Sequence, residues 1–305
     1  MKRSAFFLAL GLAVLPQMLH AQVPDSIAAE LRDIGRVVDA GRTNAAYAPL
    51  HTLMPVDGIG VERDVAYGPH ALNKLDVFFS DPDKGAGKPV VVFAHGGGFT
   101  GGSKHRDGSF TYDHMMMWLV ENGIVGVNID YRLAPDDPFP AAQEDLAAAI
   151  QWTKENIAQY GGAPEKIVLS GQSAGASLVG NHIGLAQFHG PDGIGVVAAH
   201  MSSGQFEVTG PSPYYGDDPA TFAERSSFQG IVDSGLPLMI NRAELDPPDI
   251  AEQSDKLNAA LCAAGRCPVF VLSADHNHNS QLYALGTDDT IISTPLLAFI
   301  RAHTE

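Results

Sequence analysis

One pentapeptide constrains this chain more than anything else in it: Gly171-Gln172-Ser173-Ala174-Gly175. It directly follows a short apolar run, Ile167–Ser170, and directly precedes a segment of small apolar residues suited to a helix packed on a sheet. A strand that turns this abruptly into a helix forces the middle residue into a strained conformation. The flanking positions must then be glycine, because a side chain there would strike the neighbouring strand or helix. Such a turn holds the Ser173 hydroxyl above the sheet edge, at a helix N-terminus whose dipole favours developing negative charge. The competing reading is an ordinary glycine-rich βα turn. Ser173 is the candidate nucleophile.

The rest of the chain supplies a sheet for that turn. Apolar runs at Pro89–Ala94, Ile124–Ile129 and Ile167–Ser170 read as buried strands. Further strands are expected at Gly195–Ala199, Pro237–Asn241 and Pro268–Leu272. Helical periodicity covers Ile27–Val38, ended by Gly41, then Ala141–Asn156 and Ile250–Ala263. Val61–Tyr67 and Leu72–Phe79 read as a strand pair joined through Gly68-Pro69-His70, antiparallel to the others. Solidly apolar strands alternating with helices predict an α/β fold: a mostly parallel sheet covered on both faces. No internal repeat or low-complexity segment divides the chain. The stretch 204–235, rich in Pro, Gly, Tyr and Asp, reads as an insertion near the active face of a single domain spanning 22–305.

The second chemical element is His95-Gly96-Gly97-Gly98-Phe99, just after the strand that ends at Ala94. Consecutive glycines leave backbone N–H groups free to point at a substrate oxygen. Those of Gly97 and Gly98, with that of Ala174, are the expected oxyanion hole. His95 is expected to brace this loop and not to act as a base.

These residues resemble the α/β-hydrolase superfamily, and within it the carboxylesterases of the hormone-sensitive-lipase type. Between the two glycine motifs stand Tyr131-Arg132-Leu133-Ala134-Pro135 and Phe139-Pro140-Ala141-Ala142. Asp145, Trp152, Tyr160-Gly161-Gly162 and Lys166-Ile167 follow, in the order found in that family. The likeness runs from about Val61 to the C-terminus and is most specific from Val90 to Gly180. Gln172 departs from the aspartate usual before the serine, Ala176 from a frequent glycine, and the C-terminal histidine region lacks the usual His-Gly-Phe.

The resemblance implies a serine mechanism on carboxylic esters, with acid and base following the nucleophile in that order. Asp246, in the loop after Pro237–Asn241, matches the position of the acid, with Glu244 and Asp249 as alternatives. His278, just before a final helix expected to begin near Asn279, matches the base, with His276 as the alternative. Tyr214, Tyr215 and Phe222 suggest an aromatic substrate pocket for short-chain or aryl esters. An amidase, formamidase or peptidase would use the same triad, and a non-catalytic binding fold is the reading from another class.

Neither a cofactor nor a metal is expected, since His276-Asn277-His278 has no third ligand nearby in sequence. Acidic residues outnumber basic ones by 35 to 19, for a formal charge of −16, which disfavours nucleic acid and anionic membranes as partners. Lys2 and Arg3, an apolar run from Ala5 to Leu15 and a small residue at Ala21 read as a secretory signal peptide, residues 1–21. Export to the periplasm or beyond is expected, with no membrane anchor once the signal is removed. In that oxidising setting Cys262 and Cys267 are expected to close a short disulfide loop, the alternative being two free, partly buried thiols.

Overall fold

A computed structural model describes residues 23–82 and 84–305; the expected signal peptide lies outside the described residues. Eight strands form one sheet: β1 (Ile59–Ala66), β2 (Lys74–Ser80), β3 (Lys88–Ala94), β4 (Val125–Ile129), β5 (Gly162–Gln172), β6 (Ala198–Ser202), β7 (Leu238–Leu245) and β8 (Val269–Asn277). Their order is β1-β2-β4-β3-β5-β6-β7-β8. β1 pairs antiparallel with β2, and β2 with β4; every other pairing is parallel. This is the α/β-hydrolase sheet, with the predicted antiparallel strands at its N-terminal edge.

Helices α1 (Asp25–Ile34) and α2 (Ala40–Tyr47) precede the sheet. α3 (Asp113–Glu121), α4 (Ala141–Asn156), α5 (Ala174–Gly184), α6 (Phe222–Arg225), α7 (Phe228–Asp233), α8 (Pro248–Ala263), α9 (Ser280–Tyr283) and α10 (Ser293–Thr304) follow among and after its strands. Successive side chains of a strand point to opposite faces, and the core divides accordingly. Val90, Val92 and Ala94 of β3 join Leu146 of α4, Leu178 of α5, Ile231 of α7 and Leu257 of α8 on one face. Val91 and Phe93 join Met115 and Leu119 of α3 and Leu296 and Phe299 of α10 on the other. Residues such as Val90, Val92 and Leu169 are wholly inaccessible; each such burial is worth about 1.5–3 kcal/mol relative to exposure.

A third, smaller cluster gathers Leu31 and Ile34 of α1 and Tyr47 of α2 against Phe110 and Tyr283. Polar ties reinforce it: Arg32 pairs with Asp275 at 3.0 Å, and Thr43 Oγ1 accepts from Asn277 Nδ2 at 2.9 Å. The first helices thus pack against the last strand.

Several boundaries differ from the sequence reading. The first helix stops at Ile34, because Gly35 adopts a φ of 74° and its N–H closes on the Leu31 carbonyl; Val37 and Val38 fall outside it and are exposed. β6 starts at Ala198, three residues beyond the expected Gly195. β5 is longer than expected at both ends, and β8 runs on through Asn277, so His276 sits in a strand and not in a loop. Helix α3 has no counterpart in the sequence reading. Eight of its nine residues, Asp113–Val120, are buried, so no polar face produced a helical period.

Candidate active site

At the C-terminal end of β5 the chain turns into α5 through Ser173, held at φ 57° and ψ −122°. The flanking glycines are demanded by contact. A Cβ on Gly171 would lie 2.3 Å from the Gly175 carbonyl oxygen, and one on Gly175 would lie 2.0 Å from that of Ala94. The Ser173 N–H donates to the Ser202 carbonyl at 2.8 Å, tying the turn to the end of β6. Ser173 opens onto a cavity of about 280 Å³ shared with Gly98, Phe99, Ala174 and Tyr215.

The glycine loop after β3 faces this turn. The Gly96 N–H donates to the Tyr112 hydroxyl at 3.2 Å. Among the described residues, the N–H groups of Gly97, Gly98 and Ala174 donate to no protein acceptor. Gly97 has φ 129°, and a Cβ there would fall 2.1 Å from the Gly101 carbonyl oxygen. The loop is braced as expected from His95. Its ring stacks on Tyr131 with centroids 4.4 Å apart, its Nε2 lies 3.5 Å from Asp130, and its carbonyl accepts from the Tyr131 hydroxyl at 2.7 Å.

The structure brings Asp246 and His278 together. Asp246 Oδ1 lies 2.7 Å from His278 Nδ1, with both side chains essentially inaccessible. Asp246 Oδ2 accepts from Ser203 Oγ at 2.6 Å and from the Ala243 N–H at 2.7 Å. The carboxylate is thus held by three donors, which fixes the imidazole tautomer with Nδ1 protonated and Nε2 as the free acceptor. His278 Nε2 is buried and has no hydrogen-bond partner. The alternatives are engaged elsewhere: Glu244 accepts from the Asp275 N–H, and Asp249 from Gln205. His276 has both ring nitrogens committed, to Ser280 Oγ and Asp289 Oδ2, each at 2.9 Å.

Four supporting residues, Ser203, Gln281, Asn241 and His200, were not singled out for the site from sequence. Ser203, at φ 51°, places its hydroxyl on Asp246. Gln281 Nε2 donates to Ser203 Oγ at 2.5 Å and to the His278 carbonyl at 3.3 Å. Gln281 Oε1 in turn accepts from Asn241 Nδ2 at 2.6 Å, and Asn241 Oδ1 faces His200 Nε2 at 2.6 Å. A buried polar chain therefore runs from inside the sheet to the acid. His200 is fully buried, and that desolvation pulls its pKa down to about 4 against the opposing bond to Asn241. Gln172, the departure before the serine, donates to the His278 carbonyl at 3.3 Å. Outside the site, Arg36 of the α1–α2 connection donates to the Asp246 carbonyl at 2.8 Å.

Of the three aromatic pocket candidates, only Tyr215 lines the cavity. Tyr214 is buried, stacked on Phe99 with centroids 4.0 Å apart and bonded through its hydroxyl to Gln143. Phe222 opens α6 away from the cavity lining. Sequence showed aromatic residues in the insertion but not which way each one faces. Among the described residues no group of three or more metal-ligating side chains is assembled.

Comparison with known proteins agrees with this architecture. The BD-FAE family model matches residues 75–191. Esterase LipQ of Mycobacterium tuberculosis is 27% identical over 300 residues, covering 87% of this chain and 69% of that protein. Carboxylesterase NlhH of the same organism is 40% identical over 90 residues, which cover 30% of this chain and 27% of NlhH. Among solved structures, a bacterial heroin esterase has a TM-score of 0.69 at 22% identity, over 92% of this chain and 97% of that one. An esterase from Pyrobaculum calidifontis has a TM-score of 0.67 at 20% identity, over 92% and 98% respectively. Sheet order, strand–turn–helix serine and relatives converge: the chain has the α/β-hydrolase fold and is similar to carboxylic ester hydrolases.

Proposed function

We propose that the protein hydrolyses short-chain or aryl carboxylic esters through an acyl-enzyme. Ser173 attacks the ester carbonyl while His278 Nε2 takes its proton. Asp246 orients the ring and stabilises its charged form. The N–H groups of Gly97, Gly98 and Ala174 hold the tetrahedral oxyanion; the ester C–O bond then breaks, the alcohol leaves with the proton from His278, and water later releases the acid by the same base. The observation that carries this reading is the buried Asp246–His278 pair at 2.7 Å, whose outer ring nitrogen has no other partner. Tyr215 lines the substrate cavity. Export is part of the proposal: no helix among the described residues is long and apolar enough to cross a membrane, and Cys262 and Cys267 are disulfide-bonded, which suits an oxidising compartment.

The test pairs 4-nitrophenyl esters of rising chain length with matching anilides, on wild type and Ser173→Ala. Ester turnover and fluorophosphonate labelling in wild type, both lost in a folded Ser173→Ala protein, are expected. Turnover near wild type in that variant removes Ser173 from the reaction, and anilides cleaved faster than esters replace esterase with amidase.

A further inference from the structure

Two charged residues line the cavity in front of Ser173, and they are not in the same condition. Glu207 is neutralised by Lys256, 2.5 Å from its carboxylate. Arg225, at the end of α6, spends one N–H on the Tyr215 carbonyl. Its Nε is buried without a hydrogen-bond partner. The nearest carboxylate, that of the exposed Glu224, stands 3.9 Å from that nitrogen, beyond hydrogen-bond reach. The guanidinium carbon lies 5.3 Å from the centroid of the Phe139 ring, and the side chain is only 23% exposed. Arg225 is therefore a partly buried guanidinium fork with five donors and, among the described residues, one good acceptor.

That condition is unusual for this chain. Acidic side chains number 35 against 19 basic ones, and the other buried cations are closely paired: Arg63 with Asp76 and Asp113, Lys104 with Asp64 and Asp76. Leaving a half-buried guanidinium short of acceptors costs free energy that one nearby carboxylate would recover. The surrounding wall is also polar, with Ser177, Asn181 and Ser212 facing the same cavity.

We propose that Arg225 is a specificity residue, and that the preferred substrates are esters carrying a carboxylate in their acid or alcohol half. This rests on the ester reading above and deepens it. The substrate carboxylate docks on the Arg225 fork while its ester carbonyl lies at Ser173. Charge-assisted hydrogen bonds of this kind are worth about 10- to 100-fold in affinity or kcat/KM.

The experiment compares kcat/KM for charged and neutral partners of similar size: ethyl hydrogen adipate against ethyl hexanoate, and 4-acetoxybenzoate against phenyl acetate. Wild type is expected to prefer the charged member of at least one pair. In Arg225→Gln the charged-to-neutral ratio should fall about 10- to 100-fold, with partial retention in Arg225→Lys, which keeps the charge but not the fork. If Arg225 only pins the Tyr215 loop, both members fall together and the ratio is unchanged. That result overturns the proposal, as does a wild-type preference for the neutral member of both pairs.

A calorimetric titration of ethyl hydrogen adipate into Ser173→Ala, with and without Arg225→Gln, reads the same contact without turnover. Arg225-dependent binding here, together with no ester turnover in wild type, would refute the ester reading and leave the anion site standing. Binding indifferent to Arg225 would overturn the site itself.

Discussion

Lowering the pH from 7 to 5 should strip stability from the fold through histidines that its core keeps neutral. His114, His182 and His200 are at most 2% exposed. Burial is the leading cause that pulls His182 and His200 down to about 4 and His114, helped by neighbouring His51, to about 3. In the unfolded chain each returns to about 6.5. At pH 5 the unfolded imidazole therefore carries a proton that the folded one does not. Each pKa unit is worth about 1.36 kcal/mol, so one such histidine costs about 2 kcal/mol at pH 5. The stabilisation is complete above the unfolded pKa and is lost as pH falls toward the folded one. Three together remove about 6 kcal/mol, comparable with the whole stability of many domains. The assay is urea unfolding of wild type, His200→Gln and His182→Gln at pH 7 and pH 5. Comparing each variant with wild type cancels effects common to both, including the self-repulsion of a chain at −16. Each substitution should reduce the loss of stability between the two pH values by about 2 kcal/mol. A loss equal to that of wild type refutes the claim that the fold holds these rings neutral.

Other expectations concern the site. His278→Ala should lower kcat by at least about 10³-fold. His276→Ala, whose ring is spent on Ser280 and Asp289, should mainly lower the melting temperature; the reverse pattern in steady-state kinetics would exchange their roles. Ser203→Ala removes one of three donors to the buried Asp246 and should cost about 10- to 100-fold in kcat with KM little changed; unchanged kcat would mean that the other two donors suffice. Gly97→Ala drives a Cβ into the Gly101 backbone and should lower kcat by about 10²-fold or more, while fluorescence-detected unfolding still reports a cooperative fold.

The serine turn was legible where local sequence dictates backbone geometry. Gly171 and Gly175 are forced by close approach, and Ala141–Asn156 matches its helix end to end. Reading failed where tertiary packing decides. Helix α3 is buried all round and shows no period. Strand β8 is prolonged to Asn277, its last residue pairing with Leu245 of β7 beyond a register shift, although Ser273–Asn277 looks too polar for a strand. Tyr214 and Tyr215 are adjacent in sequence, yet one is core and the other lines the cavity. Its place just before the helix expected near Asn279 ranked His278 above His276, and the structure gives the two different partners, Asp246 for one and Ser280 with Asp289 for the other. Ser203 and Gln281 carry no motif at all; their roles come from distances across 43 and 78 residues of chain.

The contacts between the first helices and the last strand bear on when the protein becomes competent. A ribosome delivers the serine turn long before the histidine, and α1 and α2 emerge before either. Arg36 finds its Asp246 carbonyl 210 residues later, and Thr43 finds Asn277 a further stretch beyond that. Until then the cluster of Leu31, Tyr47 and Phe110 lacks Tyr283, which completes it. On the proposed mechanism, a nascent chain that stops short of His278 carries Ser173 without its partner base. On that mechanism, hydrolysis waits until the α1–α2 region and β8 come together, long after the serine turn has been made.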